Sequence, residues 1–333
     1  MGNTIRWTCR IAALAALGVF GSTAALAAAT QITIVGAGKG AGAFRQAGAI
    51  AEVVNKNSKT LNITNQETAG FVANTRMIAS GRVELALTNG VFVDFIQRQQ
   101  KPFDTEKKPA TEVRGVGPGV GSYLQIVVLA DSPYKSLMDL KGKRVSLGPK
   151  GSSSVFMLET VFRKLGILDS MRKDYLKWDD AATYMVDGKL DTFGIPNPIP
   201  GPAILQAAQS RPITVLDLPD SVIKEFIDLS KGYFEASADM SVYDGMKGKK
   251  VKTIAYNVFL VANAKVSDAI VYEVAKQFYD PKNREFILNV YKPLKSGLDQ
   301  AENDGFLKQM KSFNLKVHPG AARYWKERGY KVD

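Results

Sequence analysis

Between Gln31 and Val54 a β-branched run, a glycine-rich turn and an amphipathic stretch follow one another without interruption, and no other stretch constrains the fold as much. Gln31-Ile32-Thr33-Ile34-Val35 has the composition of a strand. The stretch after it places Phe44, Ala47, Ile50, Ala51 and Val54 on one helical face. Between the two, glycines stand at 36, 38, 40 and 42. Glycine lets a ligand approach the backbone closely. The N–H groups of a helix's first turn have no partner inside the helix, so such a junction can take an anion. Units of this kind build an α/β fold, in which ligands bind beyond the carboxyl ends of the strands.

Residues 1–29 stand apart. Arg6 and Arg10 are their only charges, and an Ala-, Leu- and Gly-rich run leads to Ala25-Leu26-Ala27, a small-x-small cleavage pattern. This predicts a secretory signal peptide cut near Ala27 and a periplasmic protein. The competing reading is an uncleaved anchor, which the weakly apolar composition disfavours. Cys9 is the only cysteine and lies in this segment, so the exported chain has no disulfide, thiolate nucleophile or cysteine metal site.

The 333-residue chain suits about two domains. Its formal charge is +12, or +10 without Arg6 and Arg10, which fits an anionic ligand but serves solubility equally. The basic run Lys247 to Lys252 lacks interleaved aromatics and reads as a solvated loop, not a nucleic-acid site.

Strands are expected at Leu61–Asn65, Glu84–Thr88, Tyr123–Ala130, Arg144–Leu147, Ile213–Leu216 and Thr253–Ala262, and a helix at Ser267–Tyr279 capped by Ser267. Ile195 to Pro202, with four prolines, reads as a stiff loop. The two long apolar strands, Tyr123–Ala130 and Thr253–Ala262, are expected to cross between lobes. That gives a first lobe of 30–125 and 258–333 and a second lobe of 126–257. Tyr324, Trp325 and Tyr330 are expected to dock the tail on the first lobe.

Several motifs in order resemble the TAXI family of solute receptors from tripartite ATP-independent periplasmic (TRAP) transporters. They are Gly36-Ala37-Gly38 through Gly42 and Gly48, then Thr68-Ala69-Gly70 with Asn74, then Asp139 to Gly148 with Gly151-Ser152. Asp187 to Asp191, Pro200-Gly201-Pro202-Ala203 and His318-Pro319-Gly320-Ala321 with Tyr324 and Gly329 complete the set. The resemblance implies a type II periplasmic binding protein, with two lobes joined by crossing hinge strands and a ligand cleft between them. It further implies a receptor, not an enzyme, that hands a small anionic solute (a carboxylate, or an amino acid such as glutamate) to a TRAP membrane permease. A monomer with no cofactor and no metal is expected. The chain departs from the family's pattern at Ala37, Phe44, Arg45, Phe71 and Ser153, positions that line the family's cleft.

Strand ends and resemblance together nominate Gly38, Lys39, Gly40, Phe44, Arg45, Thr68, Phe71, Asn74, Asn89, Ser152, Ser153, Ser154, Asn197 and Pro200 as ligand contacts. Thr68, Asn74 and Asn89 could equally cap their own helices. Ser152–Ser154 is expected to cap a helix as well as bind. With Gly42 as cap, Arg45 falls in the first turn, where a cation opposes the helix dipole. It either reaches a ligand carboxylate or points to solvent or to Glu52 or Glu67. Gly36-x-Gly38-x-x-Ala41 formally fits a dinucleotide fingerprint, but the acidic residue that should follow, Glu67, comes too late. His318, the only histidine, is expected to be structural. Two other functions stay open. One is an exported hydrolase or transferase using the Gly/Ser loops, which lack an evident general base. The other is a receptor that signals to a membrane sensor.

Overall fold

The computed structural model describes residues 29–332. The expected leader up to residue 28, its cleavage near Ala27 and Cys9 lie outside the described residues. No helix among the described residues is long and apolar enough to cross a membrane.

The chain forms two α/β lobes, each around its own sheet. The first lobe opens with β1 (Thr30–Val35), α1 (Gly42–Asn57), β2 (Leu61–Gln66), α2 (Phe71–Ser80), β3 (Leu85–Asn89), α3 (Gly90–Gln97) and β4 (Val113–Pro118). The second contains β5 (Ser122–Leu129), β6 (Arg144–Ser146), α4 (Ser153–Lys164), β7 (Arg172–Asp174), α5 (Trp178–Val186), β8 (Thr192–Asn197), α6 (Pro202–Ser210), β9 (Ile213–Val215), α7 (Asp220–Leu229), β10 (Tyr233–Asp239) and β11 (Lys250–Tyr256). The chain then returns to the first lobe with β12 (Val258–Asn263), α8 (Asp268–Tyr279), α9 (Arg284–Val290), α10 (Lys295–Gln300), α11 (Gly305–Ser312) and α12 (Pro319–Glu327).

The first sheet runs β2-β1-β3-β12-β4, with β1 parallel to β2 and β3, and β12 antiparallel to β3 and β4. The second runs β10-β11-β5-β8-β6-β7, with β9 also on β5. β6 is parallel to β7 and β8, while β5 is antiparallel to β8. Strands covered by helices on both faces read as continuous apolar runs, and every residue of β3 and β12 is buried accordingly.

The chain crosses between sheets at residues 119–121 and at Asn257. Neither crossing is one long strand: Ser122–Leu129 pairs wholly in the second sheet, and Thr253–Ala262 is two strands broken at Asn257. The expected boundary at residue 125 falls inside β5. The proline-rich stretch is not all loop, since β8 takes in Pro196 and Asn197 and α6 starts at Pro202. Beyond Phe193 only β5 pairs with β8, and an open strand edge tolerates proline. The basic run is not all loop either, because Lys250 to Lys252 pair with β10. Ser267 caps α8, accepting from the Ile270 amide at 3.4 Å. The tail docks on the first lobe: Trp325 is buried, donates to the Val116 carbonyl at 2.7 Å and stacks on Tyr330.

Candidate functional site

The carboxyl ends of β1 and β3 and the starts of α1 and α2 face the second lobe, where α4, α5 and the end of β8 meet them. The lobes touch directly. The Gly42 amide, first in α1, donates to Asn197 Oδ1 at 2.8 Å, the Ala203 amide of α6 to the Gly40 carbonyl at 3.1 Å, and the Ala73 amide of α2 to the Gly151 carbonyl at 2.9 Å. Aromatic contacts add to these. Phe156 of α4 packs edge-on against Phe92 and Phe95 of α3, and Tyr256 against Phe71.

Trp178, the first residue of α5, closes the site from the second lobe. It is buried and donates through Nε1 to Ser154 Oγ at 3.2 Å. Its ring lies against the glycines of the first lobe: a Cβ placed on Gly70 would come within 3.4 Å of the indole, and one on Gly38 within 3.8 Å. At Gly40 an added Cβ would sit 2.8 Å from the Asp179 amide nitrogen and 3.1 Å from Trp178 Cβ. The glycines are therefore needed so that the two lobes can approach each other.

Against Trp178 and the glycine turn, the lobes leave a partly open cavity of about 20 Å³, measured as space open to the centre of a water molecule. Ala37, Ala41, Ala43, Gly70 and Phe71 line it from the first lobe, and Ser122, Ser153, Trp178, Ile195, Pro196 and Asn197 from the second. None of these residues is charged. Phe71 and Ser153, the first residues of α2 and α4, place two helix starts on it, and a helix cannot satisfy its own leading N–H groups. Asn197 is 1% exposed, and its Nδ2 has no hydrogen-bond partner. Nearby, the Tyr256 hydroxyl lies 3.5 Å from Ser153 Oγ, and burial pushes its pKa up to about 12, so it stays protonated at neutral pH. Asn89 Nδ2 is also buried and unpaired.

Of the nominated residues, the cavity gathers Phe71, Ser153 and Asn197. Ser152 caps α4, accepting from the Val155 amide at 3.3 Å, and Ser154 serves Trp178. Asn74 is used up structurally. Its Nδ2 donates to the Gly36 and Leu87 carbonyls at 2.6 and 2.9 Å, and its Oδ1 accepts from Thr68 at 2.6 Å. Thr68 Oγ1 also accepts from the Gly70 amide at 3.3 Å. Asn89 caps α3, accepting from the Phe92 amide at 2.7 Å. Gly38 and Gly40 pack against α5, and the Phe44 carbonyl accepts from Asn65 Nδ2 at 3.0 Å. Pro200 is half-buried beyond the cavity. The first residue of α1 is Gly42 and its cap Ala41, which makes Arg45 the fourth helical residue. Arg45 is exposed, outside the cavity, in an outer groove with Lys39, Asp179 and Gln206. Lys39 there pairs with Glu67 at 3.5 Å.

Sequence reasoning missed Ser122, Trp178 and Pro196. Trp178-Asp179-Asp180 opens a helix just past the carboxyl end of β7, and acidic residues in a first turn are a usable helix-start signal. Ser122 begins an antiparallel strand, so it reaches the same edge by its amino end, where the strand-end rule does not look.

His318 is buried away from the cavity. Its Nε2 meets the Val266 carbonyl at 3.0 Å and its Nδ1 accepts from the Gly320 amide at 3.2 Å, so it caps α12 in its neutral form. Among the described residues no group of His, Cys, Asp and Glu side chains could hold a metal ion.

Residues 34–329 match the NMT1-like family. The chain belongs to that family. Among solved structures this NMT1-like chain is similar to the periplasmic aliphatic sulphonate binding protein SsuA from Escherichia coli, at 19% identity over 90% of this chain and 82% of that one, with a TM-score of 0.40. It is similar to a structure concerned with glutathione import via GshT and the cystine ABC importer TcyBC of Streptococcus mutans, at 16% identity over 81% and 96%, TM-score 0.49. A third is the alkanesulfonate-binding protein SsuA from Xanthomonas axonopodis pv. citri bound to MOPS, at 15% identity over 88% and 95%, TM-score 0.45.

Proposed function

We propose that this NMT1-like protein is a solute receptor that closes its two lobes on a small carboxylate and carries out no chemistry on it. The observation that carries the reading is the cavity between the lobes, lined by the first residues of α2 and α4 and by Asn197, whose Nδ2 is buried and unpaired, with no charged side chain. Helix N-termini of this kind favour negative charge. No Asp, Glu or His lines the cavity, so Ser122 and Ser153 have no general base beside them. In this reading residues 30–118 with 258–332, and residues 122–256, move as units about the two crossings, a hinge closure around ligand. The leader-like start and the ordered motifs that resemble TAXI receptors support the finer reading: an exported, periplasmic monomer that hands its solute to a TRAP membrane permease.

The test is mass spectrometry of ligand carried through native purification, followed by melting in a panel of carboxylates and neutral sugars. A true ligand at a hundredfold excess over its Kd stabilises by about 2.7 kcal/mol, which a melting curve resolves. Stabilisation by sugars with none by carboxylates overturns the reading.

A further inference from the structure

The hydrogen-bonding inventory of the cavity is one-sided. Several carbonyl and amide oxygens of its lining residues are already engaged. The Ala37 carbonyl accepts from the Thr68 amide at 3.3 Å, the Ala41 carbonyl from the Phe44 amide at 3.2 Å and the Gly70 carbonyl from the Asn74 amide at 2.9 Å. The Phe71 carbonyl accepts from Thr75 Oγ1 at 2.7 Å. Both oxygens of Asn197 are engaged too, the carbonyl by Gln125 Nε2 at 3.1 Å and Oδ1 by the Gly42 amide at 2.8 Å. Donors remain. They are the hydroxyls of Ser122 and Ser153, and Asn197 Nδ2, which is buried without a partner. A ligand here meets uncharged donors, and the two serine hydroxyls are the acceptors left to it.

We infer that the cavity selects small carboxylates that lack an ammonium group and rejects their α-amino counterparts. The inference rests on the receptor reading above and narrows it. An ammonium brings three donors and no acceptor. It would find no carboxylate on the lining and every carbonyl named above already bonded. A buried charge without a partner is strongly unfavourable. Size narrows the choice further. A compact space of 20 Å³ for a water centre becomes about 120 Å³ when the ~1.4 Å water radius is added around it, the share of about four liquid waters. That suits acids of propionate or lactate size.

The experiment is titration calorimetry on the purified protein with matched pairs: lactate and propionate against alanine, and succinate against aspartate. The expected result is that the better-binding acid of at least one pair exceeds its amino partner by about tenfold or more in affinity, equal to about 1.4 kcal/mol. Binding by a member of either pair with no acid exceeding its amino partner by that factor overturns the inference and leaves the receptor reading standing. If no member of either pair binds at millimolar concentration, the inference and the carboxylate reading fall together. Asn197→Asp supplies a second arm. It keeps an oxygen for the Gly42 amide, removes the free donor and places a carboxylate on the cavity. The variant should move the acid-to-amino-acid affinity ratio at least about tenfold toward the amino acid. An unchanged ratio in a variant that melts normally overturns the assignment of Asn197 as the selecting donor.

Discussion

Phe156 offers a direct measure of how much of closure the lobes themselves supply. It stands on α4 of the second lobe and is half-buried. Its ring meets Phe92 at 5.7 Å and Phe95 at 6.1 Å, both on α3 of the first lobe and both edge-on. Such pairs contribute about 0.5–1.5 kcal/mol each beyond the area they bury, so the two favour the closed form by about 1–3 kcal/mol. Removing them with Phe156→Ala shifts the open–closed equilibrium by about 5-fold to 150-fold. A ligand that binds only the closed form has an apparent Kd inversely proportional to the closed fraction. If the empty protein is mostly open, the whole factor passes into Kd; if it is mostly closed, the first part is absorbed by opening the empty protein. Small-angle scattering on the ligand-free protein separates the two cases, and calorimetry reads Kd. If the empty protein is mostly open, the empty variant should melt close to wild type, because the ring then makes none of these contacts. A Kd within twofold of wild type, with unchanged scattering from the empty protein, would refute a role for this contact in closure.

Two further outcomes follow from the packing. Gly40→Ala puts a methyl 2.8 Å from the Asp179 amide and 3.3 Å from Ala203 Cβ, all across the cleft, so ligand affinity should fall at least about tenfold while the empty protein melts normally. Gly36→Ala, whose methyl would sit 2.2 Å from the Ala43 carbonyl inside the first lobe, should instead lower the melting temperature; melting both variants with and without ligand checks the contrast. Burial lowers the pKa of His318 below its usual 6.5, so the unfolded chain binds the proton more readily than the folded one. Its contribution is present above pH ~6.5 and is lost as pH falls toward the lower folded value. Melting curves between pH 7 and 5 should therefore slope less steeply for His318→Asn, which keeps an oxygen to cap α12; an equal slope would assign the dependence to other groups.

Much of the scaffold was legible in the residues because local and global preferences agree there. The β1–α1 unit, the Ser152-capped α4 and the Ser267-capped α8 each carry an apolar face of the right period, and the two serine-capped helices also carry a start signal at the right place. Elements whose local chemistry contradicts their placement were not legible. β10 is an edge strand with Phe234, Glu235, Ser237 and Asp239 exposed, so its sequence lacks the apolar run that marks the buried strands. Pro196 sits inside β8, and Lys250 opens β11, because a strand with one open edge or a solvated end escapes the demands of a central one.

The site was legible as a place more than as a set of contacts, and the glycine turn shows why. Glycine at 38, 40 and 70 reads from sequence as room for a ligand against the backbone. The fold gives that room to Trp178 and to the backbone of α5, which come from the other lobe and lie more than a hundred residues away in the chain. Residue type reveals that something must approach closely; it does not say whether the visitor is a ligand or a side chain. Arg45 shows the same limit from the other direction. Its charge near a helix start is unfavourable by local rules, and that suggested a role in the cleft. In the fold it is exposed in the outer groove with Lys39, where water screens the cost. The groups left facing the cavity are uncharged, and the sequence marks them only as two serines, an asparagine and the starts of two helices. In the proposed reading these groups recognise an anion by geometry, and that geometry arises only where the two lobes come together.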